Sequence, residues 1–137
     1  MRRLAPLALL MALVLVTPAA RAQTDEKAAA EPVMRQLDAF RRNDYDTAYG
    51  FASAEIHRLF DRAAFEQMVK SGYPEIADSV RANVVATQAG PDGHVYIVIK
   101  IRGANGQHVE AMYDMVREGG SWKINGVVAK PDPGEEV

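Results

Sequence analysis

Apolar residues along this chain follow three successive rhythms. Residues 4–16 form an apolar run of 13 residues, set between the positive Met1-Arg2-Arg3 and the segment Thr17-Pro-Ala-Ala-Arg-Ala22. From Val33 the apolar positions recur at intervals of three and four, as on one face of a helix. From Val80 they alternate with other residues, as on one face of a strand.

The first rhythm predicts a signal peptide over residues 1–22. It has a positive start, a short apolar stretch and a small-x-small cleavage site at Ala20-Arg21-Ala22. The apolar run falls short of the roughly 20 residues that a membrane span needs. The expectation is a periplasmic or secreted protein with no stable membrane insertion after cleavage, its mature chain running from Gln23 to Val137.

In the second rhythm, residues 23–31 are a polar, Ala-rich lead, either flexible or helical. Pro32 fits a first helical turn, where its missing N–H costs nothing. Val33, Leu37 and Phe40 then make one apolar stripe. Asp46, Ser53 and Asp61 are each placed to cap a short helix that follows. Gly72 and Pro74 end the helical part. Helices this short are not stable alone and must pack on something.

The third rhythm supplies it. Val80, Ala82, Val84 and Ala86 form one face of a first strand. Val95, Ile97, Ile99 and Ile101 follow in a second; Val109, Ala111, Tyr113 and Met115 in a third; Trp122, Ile124, Gly126 and Val128 in a fourth. Gly-rich turns at 90–93, 103–106 and 118–121 separate them. The fold class is α+β: short N-terminal helices packed on a curved, antiparallel four-stranded sheet. One domain spans 32–130, and residues 131–137 are an acidic tail.

Composition narrows the function. Removing Arg2, Arg3 and Arg21 from the 16 basic residues leaves 13 against 18 acidic ones, a net charge near −5. Such a surface, with no basic stripe, argues against nucleic acid as a partner. The absence of cysteine excludes disulfides, thiolate metal ligation and a lipid anchor on a cysteine. His57, His94 and His108 are scattered without a ligand spacing, so neither metal nor cofactor is expected.

Three segments together resemble a known family. They are Leu37-Asp-Ala-Phe40-Arg-Arg-Asn-Asp44-Tyr-Asp-Thr-Ala48-Tyr-Gly-Phe-Ala52-Ser, Phe65-x-x-Met68-Val-x-Ser-Gly72-Tyr-Pro74, and Gly120-Ser-Trp122-Lys-Ile124-x-Gly126-Val. The family is a bacterial one of exported proteins of unknown function, domain of unknown function 4864. It is similar in fold pattern to nuclear transport factor 2, ketosteroid isomerase and scytalone dehydratase. The resemblance implies a cone-like domain, a strongly bent sheet wrapped against helices, often around a pocket. It does not imply an enzyme, because such folds host isomerases, dehydratases, carriers and interaction modules.

The candidate catalytic residues are Asp114, His57 and Tyr49. Asp114 would be a general base if it faced an apolar cavity; alternation puts it with Glu110 and Met112, opposite Tyr113. His57 lies four residues from both Ser53 and Asp61, yet those two read as caps and no nucleophile elbow is present. The candidate ligand-binding residues are Tyr49, Tyr113, Phe40 and Met112, since aromatic and thioether side chains suit a small organic ligand. Trp122 is expected to anchor sheet to helices with its indole N–H bonded at an edge.

Three functions fit. The first is a non-catalytic module that binds a small apolar or aromatic molecule or an envelope protein. The second is a cofactor-free isomerase or dehydratase acting on a small organic substrate. The third is a structural protein whose sheet face closes on a copy of itself as a homodimer.

Overall fold

The computed structural model describes residues 12–15 and 17–133, with residues 22–24 described by backbone alone. Most of the expected signal peptide, at 1–11 and 16, and the end of the acidic tail, at 134–137, lie outside the described residues. Among the described residues no helix is long and apolar enough to cross a membrane.

Helix α1 spans Pro18–Arg41, capped by Thr17, whose hydroxyl accepts the Ala20 N–H. The lead is therefore helical, and Pro32 sits inside the helix rather than in its first turn. Two things outweigh the hydrogen bond that Pro32 forfeits. Ala29, Val33, Leu37 and Phe40 bury one continuous stripe against the sheet. The lead is also tied down by side chains: Thr87 donates to Glu26 at 2.9 Å, and Arg117 pairs with Asp25 at 3.0 Å.

Asn43, at φ 55°, ends α1 in the left-handed conformation that asparagine tolerates. The N–H groups of Asn43 and Asp44 bond back to the carbonyls of Phe40 and Ala39. The chain can then re-enter a helix at Tyr45. This moves the cap of α2 (Tyr45–Gly50) from the expected Asp46 to Asp44, which accepts the N–H and hydroxyl of Thr47. Those bonds hold the Asp44 carboxyl below its ordinary range. Asp46, freed from that role, pairs with Arg62. Ser53 and Asp61 do cap α3 (Ala54–Leu59) and α4 (Arg62–Gly72). One further turn, α5 (Pro74–Ala77), precedes the sheet.

Strands β1 (Ser79–Ala89), β2 (Val95–Gly103), β3 (His108–Glu118) and β4 (Ser121–Pro131) form an antiparallel meander in that order. Val95, Ile97, Ile99 and Ile101 of β2 and Val109, Ala111, Tyr113 and Met115 of β3 point at the helices and are buried. Phe51–Ser53 runs alongside the free edge of β4. The Ile124 N–H donates to the Phe51 carbonyl, and the Ser53 N–H donates to the Ile124 carbonyl.

Three irregularities change the expected faces; the first, between Ser79 and Arg81, leaves Val80 as an extra, exposed residue. In β4, Met115 pairs with Ile124 but Asp114 pairs with Gly126, so Asn125 is an extra residue. A one-residue bulge reverses the side-chain parity beyond it. Val128, expected inside, is therefore 67% exposed on the far face, while Val127 and Ala129 pack against the core. In β1 the register shifts between Val84 and Ala86, and Ala86 pairs with Val98 on that same far face.

Candidate functional site

The helices do not fill the concave face of the sheet. A cavity of about 230 Å³ remains among α1, α3, α4, α5 and strands β3 and β4. Gln36 and Phe40 of α1, Phe65 and Val69 of α4, and Tyr113 and Ile124 of the sheet are its buried wall. Ile56, Phe60, Met68, Tyr73 and Val127 are half-buried and form the mouth.

Its polar groups are few. Gln36, buried on α1, donates through Nε2 to the Ala48 carbonyl at 3.1 Å and so ties α1 to α2. The Tyr73 hydroxyl donates to the Val127 carbonyl at 3.3 Å, joining the α4–α5 corner to β4. Tyr113 is the exception. The residue is 1% exposed, and its hydroxyl is closed off from cavity and solvent alike, with no partner within the protein. Burial, with Tyr73 adding to it, pushes the phenol far above its ordinary range, so it stays a neutral O–H. A buried hydroxyl left unpaired costs about 1–3 kcal/mol.

The candidate residues divide around this cavity. Phe40 and Tyr113 line it together. Tyr49 lies just behind the mouth, its hydroxyl donating to the Phe60 carbonyl at 2.6 Å. Its ring stacks on His57 at 3.9 Å between centroids, and His57 Nε2–H donates back to the Tyr49 carbonyl at 2.7 Å. His57 is thus a brace for α2 and α3. The Ser53–His57–Asp61 spacing does not assemble a triad. Ser53 donates to Asn125 Oδ1 at 2.8 Å, and Asp61 caps Ala64.

Met112 and Asp114 lie on the opposite face of the sheet from the cavity, because strand alternation sets them against Tyr113. Met112 is 44% exposed there. Asp114 accepts from His94 Nδ1 at 2.6 Å and from Asn125 Nδ2 at 3.3 Å. Trp122 packs beside the core under the Arg117 guanidinium, at 4.8 Å, but its buried indole N–H has no protein partner, contrary to expectation.

Gln36 was not anticipated. Its signal is positional: it lies three residues after Val33 and four before Phe40, a polar residue on an apolar helical stripe.

The assembled fold has solved counterparts. An NTF-2 like protein of unknown function from Silicibacter pomeroyi superposes with a TM-score of 0.57 at 14% identity, covering 80% of this chain and 98% of that one. An NTF2-like protein of unknown function from Shewanella baltica gives 0.57 at 12%, covering 88% and 100%. A SEC-C motif containing protein from Rhodopseudomonas palustris gives 0.51 at 19%, covering 79% and 84%. At such identities the likeness is one of fold. The family described as a domain of unknown function, DUF4864, matches residues 22–137. No curated protein matches significantly.

Proposed function

We propose that this chain, which belongs to the DUF4864 family and has the NTF2-like fold, is an exported module that binds a small apolar molecule between its helices and sheet. The observation that carries the reading is the apolar cavity of about 230 Å³ between the helices and the sheet. A predominantly apolar lining with few polar side chains is the common pattern of small-molecule sites. The lining holds no carboxylate, imidazole or amine. Asp114 and His57, which the isomerase or dehydratase reading would need as acid or base, are engaged elsewhere. That placement favours binding over catalysis. Export rests on the positive start, apolar run and cleavage pattern of residues 1–22.

Native mass spectrometry of the protein taken gently from the envelope fraction tests both parts. The expected spectrum shows a chain beginning at Gln23 with a small molecule that leaves on denaturation. An intact Met1 start would overturn export. A bare mass, unchanged after incubation with apolar aromatics, would overturn binding.

One observation favours a second reading, self-association. On the face away from the helices, Ala86, Val98, Met112 and Val128 are successive cross-strand partners, so one apolar row crosses all four strands. The next row on one side carries Lys100, Glu110 and Lys130, with Glu110 paired to Lys130 at 3.6 Å; the next on the other side carries Tyr96, Asp114 and Gly126. Two copies related by a twofold axis along this row bury it against itself. Val128→Asp puts a charge at the exposed β4 end of that row. It is expected to convert a dimer to a monomer in sedimentation with Tm little changed. A monomeric wild type at high concentration would dismiss this reading.

A further inference from the structure

A buried glutamine on the apolar stripe of α1 gives the cavity a preference in hydrogen bonding. This step rests on the binding reading above and goes on to name the ligand chemistry.

Gln36 lies one helical turn before Phe40, so the two side chains leave α1 on the same face. Both line the cavity, and Gln36 is only 4% exposed. A polar side chain so deeply buried needs hydrogen bonds, or it costs stability.

One end of its amide has a partner. Nε2 donates to the Ala48 carbonyl at 3.1 Å. Only the nitrogen can donate to a carbonyl, so this contact fixes which end of the amide is which. Ala48 belongs to α2, which is not a wall of the cavity. The nitrogen end therefore turns toward α2 and leaves the oxygen end to the cavity.

The oxygen end has no partner among the described residues. It also differs from the Tyr113 hydroxyl and the Trp122 N–H, which are unpartnered but sealed within the protein. Gln36 Oε1 is not sealed, and the space that Gln36 borders is the cavity. An amide oxygen accepts and cannot donate. The Tyr73 hydroxyl, also in the lining, spends its one proton on the Val127 carbonyl, so it too can only accept.

We propose that the cavity takes the apolar, ring-sized part of a molecule that carries an uncharged N–H or O–H, and that this group donates to Gln36 Oε1. Phenols, indoles and small alcohols belong to the class. A dry cavity of about 150 Å³ accepts benzene, so one of about 230 Å³ takes a ring with a few added atoms. Whatever continues beyond the ring is left at the half-buried mouth, beside Ile56 and Phe60, within reach of water. A molecule that fills the space without a donor takes solvent from Oε1 and leaves it unpaired. That cost is what makes a hydrogen-bonding site discriminate.

Indole and benzofuran make a matched pair of probes: the same shape, with an N–H in one and a ring oxygen in the other. Binding is measured by calorimetry and by chemical-shift change on the chain from Gln23 and on its Gln36→Leu variant. The wild type is expected to bind indole more tightly than benzofuran. The indole-to-benzofuran affinity ratio is expected to fall about tenfold in Gln36→Leu, the effect of one neutral hydrogen bond in a dry site. Benzofuran is expected to bind both proteins. The Gln36 side-chain amide resonances of the wild type are expected to move with indole and much less with benzofuran, because donation to Oε1 polarises the whole amide.

Equal affinities in the wild type, or a ratio unchanged in Gln36→Leu, would overturn the donor class and leave the binding reading standing. Binding of neither probe would overturn both. Should Gln36→Leu fail to fold, the wild-type ratio and the shift of the Gln36 amide still decide the question.

Discussion

Leu37→Ala is expected to cost about 3 kcal/mol of stability. Leu37 is fully buried at the centre of the α1 stripe, between Val33 and Phe40, where the long helix crosses the sheet. Truncating a buried leucine loses transfer energy and leaves a void, together about 2–5 kcal/mol. Collapse around the void is limited here. Below the helix lie the close-packed Ile97, Ile99 and Ile101, which are themselves fully or almost fully buried and held by strand pairing on both sides. For a single domain whose total stability is of order 5–15 kcal/mol, this is a large fraction. The lack of cysteine means that no crosslink compensates. Urea unfolding of the chain from Gln23 is the check. At a slope of about 1.5 kcal/mol/M the midpoint should fall by about 2 M with the slope unchanged. A shift under about 0.5 M would mean that α1 is not the main cover of the sheet.

How far the sequence reveals such a contact depends on whether the signal is local. Ser53 and Asp61 could be read as caps because a cap acts on the N–H groups of the next turn. The four strands could be read because alternation and Gly-rich turns are also local. Asp46 was misplaced because the ending of α1, with Asn43 left-handed, shifted the next helix start by two residues. Val128 was misplaced because the extra residue, Asn125, reverses parity, and nothing in the alternation of Trp122, Ile124, Gly126 and Val128 reveals a bulge.

The cavity was legible only in part. Tyr113 follows from its strand face and Phe40 from its helical stripe, and both do line the wall. Tyr49 and Met112 had the right chemistry for a pocket. Tyr49 is spent on the Phe60 carbonyl and the His57 ring, and Met112 is turned to the far side of the sheet. A cavity is what four helices and two strands fail to fill, a property of their packing angles that no stretch of residues encodes. The same holds for the unpaired hydroxyl. A tyrosine in a strand looks the same in sequence whether its oxygen finds a partner or not.

That oxygen makes the last prediction one of sign. Most substitutions in a core destabilise, but Tyr113→Phe is expected to stabilise the unliganded protein by about 1–2 kcal/mol, raising Tm by about 4–8 °C. The ring that packs against the core is kept, and only a buried oxygen without a protein partner is removed. The same change alters the alkaline limb. In the unfolded chain the phenol titrates near its ordinary value of 10.0, while in the folded protein burial holds it well above that. Stability from such a group is complete below pH 10 and is lost as pH rises toward the folded value, at up to about 1.4 kcal/mol per pH unit. Tyr45, also raised by burial, contributes the same sense of slope in both proteins. Tyr113→Phe should therefore lose stability less steeply above pH 10 than the wild type, with the two curves parallel below pH 9. Thermal unfolding between pH 7 and 11 checks both effects. A variant less stable than wild type at pH 7 would mean that the hydroxyl is satisfied in the free protein. If it is unsatisfied, the wild type carries a standing cost in its core that the phenylalanine variant does not.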